Sequence, residues 1–259
     1  MKQRTLTSVV LALLSMVLLG CFHLPWVPQL IAILLGCGAV WEILGANGIR
    51  NKGSYAAGLF LAVIIPLFSL TEKVWWMAAA LVLGLGFFTY LMTRIGKQAP
   101  AWVAAPEIVL ALSLYRGLAC YGEIPHGAFF LCLTGLICAL TDIFAYLVGS
   151  RFGRHKLAPK VSPGKSIEGA LGGLGITVVL IVLVFGRFFD DIGTLVLYTA
   201  VVSILGQFGD LSMSAVKRVA GVKDFGHIFP GHGGILDRFD SVMFIAPFVT
   251  MVITAVFYK

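Results

Sequence analysis

The polar residues between positions 209 and 240 have the types and spacing needed to hold phosphate oxygens through a hard cation. The run reads Gly209-Asp210-Leu211-Ser212-Met213-Ser214-Ala215-Val216-Lys217-Arg218, then Lys223-Asp224, Pro230-Gly231-His232-Gly233-Gly234 and Asp237-Arg238-Phe239-Asp240. On a continuing helix, Asp210, Ser214 and Lys217 fall at i, i+4 and i+7 and share one face. Asp237, Asp240 and Ser241 repeat that geometry at i, i+3 and i+4, so two helix ends can aim carboxylates at a common point. Magnesium favours one or two carboxylates plus substrate phosphates over an all-protein cage. Lys217, Arg218, Lys223 and Arg238 offer positive charge to the remaining phosphate oxygens. The glycines at 231, 233 and 234 let backbone N–H groups approach an anion at a helix start, where the dipole also favours negative charge. A solvated basic loop is the blander alternative, but it does not explain aspartates that border apolar spans.

A second polar block runs from Asp142 to Gly169. It contains Ala145-Tyr146, Gly149, Gly153-Arg154-His155-Lys156 and Ser162-Pro163-Gly164-Lys165-Ser166-Ile167-Glu168-Gly169. Ser162 is expected to be the N-cap of a helix with Pro163 at its first position, and Lys165 adds charge to that anion site. The Gly164-Lys165-Ser166 triplet is not a P-loop, because the required earlier glycine would fall at Pro159 and a membrane helix precedes it.

The elements that position these groups are membrane spans. Only 12% of residues are charged, against roughly 25% in ordinary domains, and mean hydropathy is +0.97. Apolar blocks of about 17 to 23 residues match the length that crosses the hydrocarbon. The expected fold is all-α, a polytopic helical membrane bundle of about nine transmembrane helices. The spans are Leu6–Phe22, Val27–Leu44, Tyr55–Leu70, Val74–Thr93, Ala101–Tyr121, Gly127–Gly149, Ile167–Gly186, Ile192–Leu211 and Ser241–Tyr258. With the N-terminus cytosolic, one face collects 15 of the 19 Lys and Arg residues, as orientation by positive loops requires. The formal charge of +7 therefore suits anionic lipid headgroups or nucleotides and needs no nucleic acid.

The chain reads as a single integral membrane domain, 1–259. Residues 1–121 form scaffold and lipid-facing helices, and 122–259 form a catalytic half with cytosolic segments 150–166 and 212–240. Glu42, Glu107 and Arg116 also lie within spans, near enough to an interface to snorkel or pair. Cys21, Cys37, Cys120, Cys132 and Cys138 form no Cys-x-x-Cys pair, which points to packing rather than zinc or disulfides. Leu18-Leu19-Gly20-Cys21 has the look of a lipoprotein cleavage site, but cleavage would remove a span and reverse the charge-supported orientation. No longer targeting extension precedes the first span, which favours a bacterial plasma membrane over an organelle.

The run from Ser214 to Asp240 resembles the signature of the phosphatidate cytidylyltransferase family. The matching positions are Ser214, Lys217-Arg218, Lys223-Asp224, Gly226, Pro230, His232-Gly233-Gly234 and Asp237-Arg238-x-Asp240. The block from Asp142 to Gly169 resembles the family's other polar block, with Gly164 and Ser166 where lysine and threonine are commoner. The resemblance implies that phosphatidic acid and CTP give CDP-diacylglycerol and pyrophosphate in phospholipid biosynthesis. It also implies magnesium, alone or with a second cation, a homodimer, and a multi-pass plasma-membrane protein whose active site faces the cytosol.

On that reading Asp210 and Asp237 hold the cation and Asp240 assists them. Lys217, Arg218 and Arg238 clamp phosphate or pyrophosphate, and His232 positions the turn or donates a hydrogen bond. Asp142, Ser162, Lys165, Glu168, Ser214, Lys223, Asp224, Gly233 and Gly234 complete the substrate-binding set, with Ser162 and Lys165 on the nucleotide phosphates. Three rivals are weaker. A CDP-alcohol phosphatidyltransferase signature begins with Asp-Gly, a pair this chain lacks. A transporter would place broken helices in related halves, whereas these acids gather at one membrane face. A lipid or polyprenol kinase-like enzyme using CTP would release CDP rather than pyrophosphate.

Overall fold

The computed structural model describes residues 20, 21, 24, 26–67, 83, 86, 90, 104–122, 126–226, 228 and 233–257. Seven α-helices are delimited: α1 (Trp26–Ala46), α2 (Lys52–Leu67), α3 (Ala104–Ala119), α4 (Gly127–Phe152), α5 (Ile167–Phe185), α6 (Ile192–Val219) and α7 (Leu236–Phe257). They follow the expected spans closely, because each is an apolar block bounded by polar or glycine-rich residues. The expected spans Leu6–Phe22 and Val74–Thr93 fall almost wholly outside the described residues, as does the Leu18-Leu19 part of the lipoprotein-like motif. The helices Trp26–Ala46, Gly127–Phe152, Ile167–Phe188 and Ile192–Val219 are long and apolar enough to cross a membrane. Side chains such as Ile143, Leu171, Leu183 and Leu197 point outward from α4, α5 and α6, as a hydrocarbon solvent demands. The chain is an α-helical membrane protein.

The helices form two groups. In one, α1 packs on α2 and α3; in the other, α4 packs on α5 and α6; α7 lies against both α3 and α6 and joins them. Close approach depends on small residues, as is usual where lipid supplies no hydrophobic drive between helices. A Cβ on Gly173 of α5 would lie 2.7 Å from the Thr141 carbonyl oxygen of α4, and one on Gly169 2.6 Å from that of Ala145. Gly117 of α3 similarly admits the backbone of Pro247 in α7, and Thr250 donates to the Gly117 carbonyl at 3.1 Å. Buried hydroxyls meet at the centre of the second group, where the Thr141 hydroxyl lies 3.0 Å from that of Ser203 and 3.4 Å from that of Thr177.

Because a backbone carbonyl cannot swing aside, Gly173→Leu is expected to force α4 and α5 apart. Overpacking of this kind costs about 1–3 kcal/mol. Thermal unfolding in detergent should show the loss, while Gly175→Leu, with nothing within 4 Å of its Cβ position, should leave the midpoint unchanged.

The ionisable residues of the first group have partners. Arg116 donates through Nη1 to the carbonyls of Ile65 and Pro66, at 3.3 and 3.1 Å, and so satisfies the end of α2. Glu107 accepts from Asn47 at 3.0 Å.

One sequence-based expectation needs correction. Within the segment 150–166, Lys156–Ala158 (β1) and Ser162–Ser166 (β2) pair as a small antiparallel hairpin. Ser162 and Pro163 therefore lie in a strand, and the helix starts at Ile167. The N-cap is Ser166, whose hydroxyl accepts from the Gly169 N–H at 3.1 Å. Proline tolerates an edge strand, and Gly149, Gly153 and Gly169 crowd around the Ser166 hydroxyl. A serine fits that space and still satisfies the helix end.

Candidate functional site

α6 is the spine of the site. It continues beyond its apolar stretch to Val219, so Asp210, Ser214 and Lys217 do share one helix face. About 1.5 Å of rise per residue separates the Asp210 and Lys217 backbones by roughly 10 Å. Each of the two ends of this row is an aspartate–lysine pair built across elements.

At the first end, Asp210 pairs with Lys165, which the β1–β2 hairpin delivers from 45 residues away in sequence. The side chains are 31% and 29% exposed, so the pair stays open to solvent. Among the described residues, the other Asp210 oxygen has only a long contact from the Ser214 hydroxyl, at 3.5 Å. Asp142 of α4 is exposed and lies within electrostatic reach of both Asp210 and Lys165. This end gathers two carboxylates and one ammonium from three elements.

The second end is closed. Asp237, at the start of α7 ahead of its apolar stretch, is 4% exposed and Lys217 is 12% exposed. Lys217 donates to Asp237 Oδ1 at 2.8 Å, and the N–H groups of Phe225 and Gly234 both donate to Oδ2 at 2.9 Å. Burial alone would push the Asp237 carboxyl up; the Lys217 hydrogen bond and charge and the two N–H donors outweigh it and hold the group below its ordinary range. The Lys217 ammonium also lies 5.7 Å from the Phe225 ring centroid. Gly233 adopts φ +83°, a left-handed conformation that glycine takes without strain. A Cβ there would also press on Asp237.

The start of α7 differs from the sequence-based expectation. Its N–H groups at Ile235 and Leu236 do not point into an open anion site; they donate to the two carboxylate oxygens of Glu42, each at 2.8 Å. Glu42 comes from α1 and is 2% exposed. Sequence reasoning singled it out as an acid within a span but assigned it no partner. The signal available was the cost of placing a carboxylate there at all.

The remaining candidates fall around these two ends. Arg218 donates to the Val161 carbonyl at 3.2 Å and to that of Val222 at 3.4 Å, tying the hairpin tip to the turn after α6. Glu168 accepts from the backbone N–H groups of Arg154 and His155 and bonds the His155 ring at 2.6 Å. It therefore closes the base of the hairpin. Ser162 is half-buried in β2, and Lys223, Asp224 and Arg238 are exposed. His232 lies outside the described residues. Asp240 lies on α7 just past a bend at Phe239, whose φ of −117° and ψ of 15° break the regular turn, and its side chain is outside the described part. Among the described residues, no group of three or more His, Cys, Asp or Glu side chains is arranged to hold a metal ion. Asp210 and Asp237 instead each hold a lysine.

The similarity to known proteins runs along nearly the whole sequence rather than one motif. The model of a family described as "Cytidylyltransferase family" matches residues 2–256. A phosphatidate cytidylyltransferase of Staphylococcus haemolyticus is 37% identical over 264 residues, covering 98% of this chain and 99% of that protein. Those of Staphylococcus epidermidis and Staphylococcus aureus strain COL are 36% and 35% identical with the same coverage. With residues 2–256 matched by the family's model and near-full-length relatives 35–37% identical, the chain belongs to the cytidylyltransferase family.

Proposed function

We propose that the protein transfers the cytidylyl group of CTP to phosphatidic acid, giving CDP-diacylglycerol and pyrophosphate. The observation that carries this reading is the similarity to phosphatidate cytidylyltransferases over 98% of the chain. A non-bridging oxygen of the phosphatidic acid phosphate attacks the α-phosphorus of CTP, and the bond to the β-phosphate oxygen breaks. The nucleophile is already anionic, so the chain need not supply a strong base. Its task is to bring anions together and to stabilise the departing pyrophosphate, chiefly by positioning and fixed positive charge.

The open end of the site suits that task. Lys165 is the cation best placed to meet a nucleotide phosphate, since its partner Asp210 is half-exposed and has few other bonds. On this reading Lys217, Arg218 and Arg238 would clamp the phosphates, with exposed Lys223 adding positive charge. The donor set also fits magnesium: Asp142 and Asp210 offer only hard oxygen ligands, and a lysine already sits beside them. Asp210 would hold the ion, with Asp237 and Asp240 contributing from the start of α7. Magnesium, when bound, would neutralise phosphate charge and favour loss of pyrophosphate.

Nine spans with a cytosolic N-terminus would place this face toward soluble CTP, with lipid substrate entering from the bilayer; the loop-charge asymmetry supports that orientation. A homodimer in a bacterial plasma membrane completes the proposal. The test uses purified protein in mixed micelles with phosphatidic acid, magnesium and CTP labelled on the α-phosphate. Label should enter the lipid with equal release of pyrophosphate and should stop when a chelator is added. Release of CDP without lipid labelling would overturn the reading in favour of a kinase-like reaction.

A further inference from the structure

We infer that Glu42 is a positioning residue for cytidylyl transfer, setting from α1 the turn that carries Asp237. The inference rests on the reading that this turn belongs to the reaction site. The N–H groups of three successive residues at the start of α7 are held by two protein carboxylates. Gly234 donates to Asp237, and Ile235 and Leu236 donate to Glu42. Glu42 and Asp237 also lie within electrostatic reach of each other, so the helix start and Lys217 must balance two buried negative charges.

The turn is shaped around the Glu42 carboxylate. A Cβ on Gly226 would lie 2.7 Å from its Oε1, and a Cβ on Gly234 would run into the same group. Both glycines therefore leave room for a side chain that comes from α1, far away along the chain. Two N–H donors meet two separate oxygens, which a carboxylate provides and a carboxamide does not. Glutamine would keep one bond and set its own NH₂ against the other N–H. Aspartate is one methylene too short to reach from the same backbone position. Glu42 is thus the contact by which α1 holds the N–H groups at the start of α7, and with them the turn that carries Asp237.

The experiment compares Glu42→Gln with wild-type full-length protein in the labelled CTP assay, with thermal unfolding measured in parallel. A misplacement of about 1 Å remote from the chemistry is worth up to roughly 100-fold in rate. Glu42→Gln is therefore expected to lower kcat about 10- to 100-fold while the KM for CTP stays within about twofold. Asn47→Ala is the control, because it removes a bond to Glu107 just beyond α1, and among the described residues the Asn47 side chain makes no hydrogen bond to α7. It should lower the unfolding midpoint with kcat per folded molecule unchanged. Gly226→Ala moves the Glu42 carboxylate without changing its charge and should reproduce the loss of kcat; it decides the matter if Glu42→Gln does not fold. A kcat within about twofold of wild type in the folded variant, or a loss matched by Asn47→Ala, overturns the inference. Asp237→Asn separates the two readings. If it is inactive while Glu42→Gln is fully active, only the role of Glu42 fails. If Asp237→Asn is itself active, the site assignment fails.

Discussion

Asp237→Asn is expected to abolish lipid labelling, by roughly 10³-fold or more, and also to destabilise the fold. Both effects follow from how completely the carboxylate is used. Its two oxygens accept from Lys217, Phe225 and Gly234, and an asparagine has one acceptor oxygen and an NH₂ with nothing to receive it. Lys217, 12% exposed, would be left as a buried charge without its partner. Breaking a buried pair from one side costs about 3–5 kcal/mol. A loss of activity alone would then be ambiguous, since unfolding would produce it too. The double variant Lys217→Met with Asp237→Asn resolves this, because replacing both members of a buried pair by less polar groups is often nearly neutral. Its unfolding midpoint should return most of the way to wild type while transfer stays absent, which assigns the loss to the Lys217–Asp237 pair rather than to unfolding. Recovery of transfer along with stability would make Asp237 a structural residue only.

Much of this molecule is legible in sequence because hydrophobic blocks and helical spacing are local. The expected span Ile167–Gly186 and the helix Ile167–Phe185 differ by one residue, since both ends are set by neighbouring polar groups. The shared face of Asp210, Ser214 and Lys217 follows from the period of a helix alone. Ser162 was harder, since Ser-Pro reads as a helix start and Ser166, the actual N-cap, differs from it only by its surroundings. Those surroundings are Gly149, Gly153 and Gly169, brought together by packing of α4 on α5. The β1–β2 pair was hidden for a related reason: strands of three and five residues that include Pro163 and Gly164 show no alternation. Long-range polar contacts leave still less trace. Nothing near Glu42 announces Ile235 and Leu236, and nothing near Lys165 announces Asp210. Spacing identified the charged groups as important and could not say which would neutralise which.

The same distinction between open and closed pairs separates the two aspartates by experiment. Asp210→Asn should abolish transfer as fully as Asp237→Asn, roughly 10³-fold, yet leave the unfolding midpoint nearly unchanged. Its pair with Lys165 is about one-third exposed on both sides, and pairs of that kind contribute about 0–1 kcal/mol. Asp210 also holds no backbone N–H among the hydrogen bonds of the described residues; its other contact is the long one from Ser214. Few internal obligations leave its oxygens for a cation or a substrate, whereas Asp237 has Oδ2 held by the turn and Oδ1 held by Lys217, which a cation would have to displace. Lys165→Met extends the test. If Lys165 exchanges Asp210 for a nucleotide phosphate, losing one charged hydrogen bond of about 1.5–3 kcal/mol should raise the KM for CTP about 10- to 100-fold. The midpoint should again hold steady. If Asp210→Asn instead unfolded the protein, or Lys165→Met left the KM untouched, the open pair would be a clasp for the hairpin. The phosphate contacts would then pass to Arg238 and Lys223, the exposed cations beside α7.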